Sequence, residues 1–511
     1  MFRKIPSTIA SQHPDHASVP YWHDQAYISS ADEAKELMIA FEELGVDEYK
    51  WDWEGKLVDE SIVERLFAKH YDYFQKNPLG HEKFLTFRVP NIYEENDFRI
   101  GRAFMCILTA SALAQKYQLH NPPMFEVIQP MTDTAKSMID IQEAFAEISS
   151  LKHWMFNMQK IKLEHLEIIP LFEQTEIIAN SDQILAQYIS MHKVKFGFAP
   201  KYLRPYMARS DPSMNSGHPA TVFALKIALS RYAQLEKNTG IKMYPMIGCA
   251  ALPFRGGLTP LNVADFVNEY AGIKTVLIQS AFRYDYSQDQ AKQGIKDLHR
   301  LLPNSVARDV SVEDEVKMTV AMSIFERHYR ETIEYIAPLV NQVATYFPSR
   351  RERVQHTGLF GYARTVGESS LPRAIKTTGS LYSIGLPPEL FGTGRGIAEL
   401  LATDNIAILE QYYINIIIDY KRVAGYVNKE NLQKLIAINP RFVTILNDIQ
   451  VLEKYFGFAF EPVTDEQKLH YDMSSQILDL VLQDNDNEDK NNSEKISDLI
   501  VQSGIIRQSL G

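Results

Sequence analysis

The chain has 511 residues, of which 45% are hydrophobic and 23% are charged, a composition typical of a folded globular protein rather than a disordered or fibrous one. Its 53 Lys and Arg residues face 64 Asp and Glu residues, giving a formal net charge of −11. This acidic balance argues against a general surface for nucleic acids or anionic membranes, so we expect neither as a partner.

The cysteine content and the start of the chain predict a cytoplasmic location. Only Cys106 and Cys249 occur, which excludes a disulfide framework and favours a reducing compartment. The first residues contain no apolar stretch of signal-peptide length, and no apolar run approaches the roughly 18 residues of a membrane span.

The first 300 residues alternate between short β-like runs and longer segments with helical spacing. Eight such runs are rich in Ile, Val, Phe, Tyr and Leu: residues 4–13, 48–54, 84–90, 124–130, 165–173, 202–211, 242–249 and 275–282. Most of them recur every 34–44 residues, which suits one strand, one helix and two loops. The pattern predicts an α/β fold, a (β/α)₈ barrel of the TIM type. A doubly wound open sheet is the alternative.

A polar residue stands near the end of each run. In chain order these residues are His13, Glu54, Arg88, Gln129, Glu173, Asp211, Arg255 and Gln279. Active sites of such barrels lie at the carboxyl ends of the strands. We therefore expect these side chains to converge on one mouth.

Beyond residue 300 the β signal fades and helical patterns dominate, with long helices predicted over 312–346 and 398–420. We predict a barrel over residues 1–300 and a helical elaboration over 301–482 that contributes arginines and oligomer contacts. Residues 483–495 carry Asp, Asn, Glu, Lys and Ser without an apolar residue and predict a polar loop, followed by a C-terminal helix and tail over 496–511.

Two strand-end carboxylates, Glu173 and Asp211, are the candidate metal ligands. Mg²⁺ typically takes one or two carboxylates and leaves positions for water and substrate oxygens. The alternative is that both residues cap helices or form ion pairs, since Asp211 followed by Pro212 is also a good helix start.

Several cationic groups could bind an anion at the same mouth. Arg255 precedes Gly256 and Gly257, which let a backbone approach a ligand closely, although a flexible turn is the alternative. His13, stiffened by a following proline, is a candidate general acid or base. Arg88 is a further strand-end guanidinium, with a buried ion pair as its alternative.

Arg364 and Arg373 lie beyond the barrel, and a helical layer folded over the mouth could deliver them to an anion. Two surface arginines are the alternative. Together the candidates indicate a metal-assisted reaction on a small substrate that carries phosphate and carboxylate groups.

Seven short motifs of the sequence are similar to those of a known enzyme family. They are IPSTIASQHPD at 5–15, WDWEGK at 51–56, IPLFE at 169–173, ARSDPSMNSG at 208–217, LPFRGG at 252–257, QSAFRYDY at 279–286 and LPRAIKTTGSLYSIGLPP at 371–388. In this order they resemble archaeal-type phosphoenolpyruvate carboxylase, the compact form of that enzyme. The resemblance implies a complete or incomplete (β/α)₈ barrel with added helices, dependence on Mg²⁺ or Mn²⁺, and a homotetramer.

The reaction implied joins phosphoenolpyruvate and bicarbonate to give oxaloacetate and phosphate, through carboxyphosphate and a metal-stabilised enolate. By this resemblance Glu173 and Asp211 hold the metal, and His13 takes the carboxyl proton of carboxyphosphate. Arg255 holds that intermediate, and Arg88, Arg364 and Arg373 neutralise substrate oxygens. Family members can be inhibited by aspartate or malate. The rival interpretations are another Mg²⁺-dependent barrel enzyme of enolate chemistry (a mutase, aldolase or lyase) and an inactive barrel used as a binding module.

The chain also departs from the long bacterial and plant enzymes of this activity. Those carry a lysine three residues after the metal-binding aspartate, where Met214 stands here, and a second glycine-arginine loop that is missing after Gly257. We expect Arg209, Arg283 or the Arg364 region to take over that phosphate binding. The end of the chain, IRQSLG at 506–511, is loosely similar to the family's tail that reaches the active site.

Overall fold

The computed structural model describes residues 3–54, 56, 58–93, 95, 98–151, 163–352, 365–366, 369–484 and 490–511. Eight parallel strands close into a barrel, in the order β1-β8-β7-β6-β5-β4-β3-β2. The strands are β1 (Thr8–Ser11), β2 (Glu48–Asp52), β3 (Phe84–Arg88), β4 (Glu126–Gln129), β5 (Glu167–Phe172), β6 (Tyr206–Ala208), β7 (Met246–Gly248) and β8 (Thr275–Ile278). Each lies within one of the eight predicted runs, so the (β/α)₈ barrel is confirmed and the open sheet is wrong.

Among the residues that the structure describes, two further strand pairs lie outside the barrel. The runs predicted at 202–211 and 242–249 each split, and their first residues, Tyr202–Leu203 and Lys242–Met243, pair with each other in parallel. Thr365–Val366 and Ser369–Ser370 pair antiparallel.

Helices surround the barrel and continue beyond it. Those of the barrel region are α1 (Glu33–Glu42), α2 (Ile62–Lys69), α3 (Tyr71–Lys76), α4 (Arg99–Lys116), α5 (Ala135–Ser149), α6 (Thr175–Ala179), α7 (Ser181–Phe196), α8 (Ser210–Ser216), α9 (His218–Thr239), α10 (Val263–Glu269), α11 (Ser280–Tyr284) and α12 (Gln288–Leu301). The later ones are α13 (Val312–Thr345), α14 (Ala374–Ser383), α15 (Thr393–Ala402), α16 (Ala407–Tyr412), α17 (Ile416–Ala424), α18 (Lys429–Ile438), α19 (Val443–Phe456), α20 (Asp465–Gln483) and α21 (Lys490–Arg507). Within the described residues no helix is long and apolar enough to cross a membrane.

Local sequence explains where the long helices begin. The Ser311 side chain accepts from the Asp314 backbone N–H and caps α13, whose first turn is acidic, as the helix dipole favours. Reciprocal capping boxes open α12 at Ser287 and α20 at Thr464. The helix predicted over 312–346 is thereby confirmed.

Two helical predictions are wrong in their bounds. The single helix predicted over 398–420 is three helices, α15 to α17, because the chain turns at Asp404 in the left-handed region (φ 56°) and again after Tyr412. The polar loop predicted at 483–495 is also too long. Gln483 ends α20 and α21 already begins at Lys490, so the C-terminal helix starts before the predicted residue 496. Residues 485–489 lie outside the described part.

The barrel interior holds a small apolar cluster beneath its mouth, formed by Ile9, Ile128, Ile169, Leu171, Tyr206, Ala208, Met246 and Leu277. The main hydrophobic core surrounds the barrel and runs without a break from the barrel helices into the C-terminal helices. The helices after residue 301 therefore pack on the barrel, and α14 and the end of the chain reach its mouth.

Candidate active site

One cavity opens at the carboxyl ends of the barrel strands. Six of the seven predicted site residues line it: His13, Arg88, Glu173, Asp211, Arg255 and Arg373. The seventh, Arg364, lies outside the described residues. Glu54 and Gln279 also line the cavity, whereas Gln129 donates to the Ser137 hydroxyl at 2.7 Å. Strand-end position thus predicted the mouth correctly for seven of the eight polar residues.

Glu173 and Asp211 follow neighbouring strands, β5 and β6. Glu173 is 7% exposed, and its Oε2 accepts from the Met131 backbone N–H at 2.9 Å. Met131 reaches that position in the left-handed region (φ 49°). Burial, and then the negative charges of Asp211 and Glu54, raise the pKa of Glu173 to about 8. The carboxylates therefore repel one another across the cavity.

This donor set fits a divalent cation. Its oxygens are hard ligands, and the second oxygen of the nearby Glu54, Oε1, is buried without a hydrogen-bond partner. Among the described residues no group of three or more His, Cys, Asp or Glu side chains is placed to hold a metal. Two carboxylates are nonetheless the number that Mg²⁺ usually takes from a protein, the other positions going to water and substrate.

His13 lies two residues beyond β1, and its ring faces several cations. Its Nδ1 lies 3.0 Å from the Ser11 hydroxyl, and its carbonyl accepts from the Ser280 hydroxyl at 2.8 Å. Burial, followed by the charges of Lys50 and Arg88, holds the pKa of His13 well below its usual value. The imidazole is therefore neutral near pH 7 and able to accept a proton.

Arg88 ends β3 and is tied to two carboxylates. Its Nε and Nη2 donate to the two oxygens of Asp52, each at 2.7 Å, and its Nη1 donates to Glu54 at 2.6 Å. Arg88 therefore does form a buried ion pair, the alternative interpretation of this residue. Within the described part of the chain, three of the five N–H donors of Arg88 are engaged in it, which leaves two for a ligand.

Arg255 connects the mouth with the end of the chain. It lies in a 3₁₀ turn, Pro253–Arg255, and its Nη2 donates to Gln279 at 2.8 Å while its Nη1 donates to the Gly511 backbone oxygen. The tail is fixed further by the Leu510 N–H, which donates to the Asp15 carbonyl at 2.7 Å. The end of the chain therefore contacts Arg255 at the mouth.

Five charged residues of the cavity are ones that the sequence analysis does not single out: Lys50, Asp52, Lys56, Arg351 and Glu352. Lys50 and Asp52 lie within β2, and the alternation of Glu48, Lys50 and Asp52 was the signal that could have found them, since alternate residues share one face of a strand. Arg351 donates to both oxygens of Glu36 at 2.7 Å, a contact between distant parts of the chain that no local pattern indicates.

Arg209 and Arg283, the other arginines expected to bind phosphate, make most of their contacts within the protein. Arg209 is fully buried and donates to Tyr270, Ser213, Phe254 and His218. Arg283 donates to backbone oxygens of Gln279 and Ser11 and to Tyr284. Four of the five N–H donors of Arg209 and three of those of Arg283 are engaged within the protein, so both guanidinium groups help to hold the scaffold together. Arg209 also lines the cavity.

Comparison with known proteins agrees with this geometry. A family model described as phosphoenolpyruvate carboxylase matches residues 5–511. A phosphoenolpyruvate carboxylase of Leuconostoc mesenteroides subsp. mesenteroides is 36% identical over 478 residues, which cover 93% of this chain and 94% of the relative. Proteins of the same name are similar from Methanospirillum hungatei (33% over 534 residues; 99% and 100% covered) and Metallosphaera sedula (35% over 529 residues; 100% of both). The chain therefore belongs to the phosphoenolpyruvate carboxylase family, in its archaeal-type form.

Proposed function

We propose that the chain is a carbon–carbon lyase that carboxylates phosphoenolpyruvate with bicarbonate to give oxaloacetate and phosphate. The observation that carries the proposal is the convergence of a neutral histidine, three arginines and two repelling carboxylates on one barrel mouth, in a chain that matches the family over nearly its whole length. The relatives bear the name of this activity.

Substrate binding follows from the charges of the cavity. Phosphoenolpyruvate carries a phosphate and a carboxylate, and Arg255, Arg373 and the two uncommitted donors of Arg88 face the space where these anions would lie. Guanidinium groups suit both anions because their fork geometry matches two oxygens at once. Arg255 is 2% exposed, so its charge acts in a region of low dielectric.

The chemistry begins when a bicarbonate oxygen attacks phosphorus. A new oxygen–phosphorus bond forms, the bond from phosphorus to the enol oxygen breaks, and carboxyphosphate and the enolate of pyruvate result. The family implies a divalent metal, and such an ion held by Glu173 and Asp211 would supply positive charge for the oxygens that gain negative charge.

His13 would act in the second stage. Its neutral imidazole takes the carboxyl proton of carboxyphosphate, which then separates into CO₂ and phosphate, and the enolate carbon bonds to CO₂. Arg255 would hold carboxyphosphate during this step. The tail and α14 cover the mouth, which keeps water from protonating the enolate.

Further properties belong to the same proposal. The hard oxygen ligands support Mg²⁺, with Mn²⁺ as a substitute. An apolar stripe on α13, with Val312, Val316 and Val320 exposed by 83%, 62% and 53%, supports oligomer contacts in the helical region and a homotetramer. We also propose inhibition by aspartate or malate, which share the substrate's negative charges. The two free cysteines support a cytoplasmic location.

The test couples oxaloacetate to reduction by NADH while phosphate is measured separately. Pure protein with Mg²⁺ or Mn²⁺ should consume NADH and release phosphate in equal amounts, and only when bicarbonate is present. Turnover of phosphoenolpyruvate that needs no bicarbonate would instead identify another barrel enzyme of enolate chemistry. No turnover with either metal would identify a binding module.

A further inference from the structure

The ammonium group of Lys50 is buried at the mouth without a hydrogen-bond partner. Its side chain is 1% exposed, and Nζ contacts no acceptor within hydrogen-bond distance among the described residues. The nearest carboxylate oxygen, Asp52 Oδ2, lies 3.7 Å away. Lysine is almost never fully buried unless its charge is paired, so this position needs an explanation.

The burial of Lys50 is not explained by a need to neutralise Asp52. Both oxygens of Asp52 already accept hydrogen bonds from Arg88, at 2.7 Å each. The pair formed by Asp52 and Arg88 is complete without Lys50, and the positive charge of Arg88 opposes a second cation beside it. A structural lysine would be expected to form a close ion pair, as the Nζ of Lys226 does with Oε1 of Glu269 at 2.6 Å elsewhere in the molecule.

The strand register places Lys50 beside residues near His13. Lys50 lies opposite Ser11 of β1, whose hydroxyl contacts the His13 ring, and opposite Thr86 of β3. The charge of Lys50 acts on His13, and the charge of Glu173 acts on Lys50. Lys50 lines the same cavity as His13, Glu173 and Asp211.

We propose that Lys50 is a substrate-binding residue whose ammonium group donates to an oxygen of the phosphoryl group as it passes from phosphoenolpyruvate to bicarbonate. This rests on the proposed function. The assignment also supplies a cation in place of the lysine that the chain lacks at Met214, since four of the five N–H donors of Arg209 are engaged within the protein. A compact ammonium group suits a phosphoryl group that changes partners, since its donors are not fixed in one plane.

The experiment compares Lys50→Met with Lys50→Arg and with a matched control, Lys226→Met. Calorimetry measures the affinity of each protein for phosphoglycolate, which carries a phosphate and a carboxylate, and for malonate, which carries carboxylates only. Thermal unfolding and the steady-state constants for phosphoenolpyruvate are measured in parallel.

We expect Lys50→Met to keep or raise the melting temperature, because a buried ammonium group without a hydrogen-bond partner is replaced by an apolar chain of similar length. Its phosphoglycolate affinity should fall at least tenfold, its malonate affinity less than threefold, and its kcat/KM at least a hundredfold. Lys50→Arg should recover part of the phosphoglycolate affinity. Lys226→Met should lower the melting temperature and leave phosphoglycolate affinity unchanged.

Phosphoglycolate binding by Lys50→Met within twofold of the unmodified protein would overturn the inference. A lower melting temperature with unchanged affinity would also overturn it, since Lys50 would then be structural, as would a loss confined to malonate. Failure of the proposed function is distinguishable, because the unmodified protein would then bind phosphoglycolate without turning over phosphoenolpyruvate.

Discussion

Replacement of Glu173 by glutamine separates metal binding from folding. Burial and the neighbouring carboxylates raise the pKa of Glu173 from 4.5 to about 8 in the metal-free protein. Glutamine has nearly the same shape, can still accept from Met131 and carries no charge. Glu173→Gln should therefore abolish metal-dependent turnover and yet stabilise the protein when metal is removed by a chelator.

The size of this stability change follows from the pKa of Glu173 in the unfolded chain and in the folded protein. A carboxyl group whose pKa is raised on folding contributes stability that is complete below pH 4.5 and is lost as the pH rises through 8. At pH 7 the carboxyl group is protonated in the folded protein and ionised in the unfolded chain. Because pH 7 lies about 2.5 units above the ordinary pKa, keeping this proton lowers the free energy of unfolding by about 3 kcal/mol. The cost reaches about 5 kcal/mol at pH 9. Glu173→Gln removes it, which corresponds to a rise of roughly 3–6 °C in melting temperature for a chain of this size at pH 7.

With metal bound, we expect the unmodified protein to be more stable than Glu173→Gln. A ligand at 100 times its dissociation constant stabilises a folded protein by about 2.7 kcal/mol, and Mg²⁺ or Mn²⁺ should do so only where Glu173 is present. Because the metal displaces the proton of Glu173, Mn²⁺ affinity should fall about tenfold per pH unit below pH 8. The assay is thermal unfolding from pH 5 to 9 with chelator or Mn²⁺, with bound Mn²⁺ measured by electron paramagnetic resonance.

The matched control is Glu269→Gln, which removes a buried carboxylate that is paired with Lys226 at 2.6 Å, away from the mouth. It should destabilise the protein by about 3–5 kcal/mol and leave Mn²⁺ affinity unchanged. The reasoning is refuted if Glu173→Gln is less stable than the unmodified protein in chelator at pH 8, or if it binds Mn²⁺ equally well.

Three other substitutions test the remaining parts of the site. His13→Asn removes the proton acceptor, so phosphate should still be released from phosphoenolpyruvate while pyruvate replaces oxaloacetate; an unchanged oxaloacetate yield would contradict its role. Arg88→Met leaves Asp52 and its neighbour buried without their cation, which should cost about 3–5 kcal/mol in chemical denaturation and most of the activity; unchanged stability would contradict the ion-pair network. Gly511→Ala would place a Cβ against the Ile375 carbonyl, so the tail should not seat and kcat should fall at least tenfold, with near-normal kcat as the contrary result.

The sequence predicts the barrel well because two periodicities cooperate. Alternating or continuous β-branched runs mark each strand, and the regular interval between them leaves room for one helix. Residues at strand ends, such as His13 and Glu173, therefore reach the predicted mouth. The prediction of one helix over 398–420 is wrong because the apolar spacing continues across the turn at Asp404. Periodicity alone cannot show that the chain changes direction there.

The rest of the site depends on contacts that no local pattern contains. The alternation of Glu48, Lys50 and Asp52 shows that these side chains share one face of β2, but the closed barrel is needed to show that Lys50 lines the mouth. Arg351 arrives from the helical region through its ion pair with Glu36, and Gly511 arrives from the end of the chain. The Arg204 pairs with Glu48 and Glu126 likewise join three strand regions inside the barrel.

The most direct test of the proposed chemistry follows oxygen from bicarbonate. If a bicarbonate oxygen attacks phosphorus, bicarbonate labelled with ¹⁸O should place one labelled oxygen in each phosphate released from phosphoenolpyruvate, as read by mass spectrometry. Oxaloacetate should form in equal amount. Phosphate without label, at an unchanged rate of oxaloacetate formation, would contradict the account.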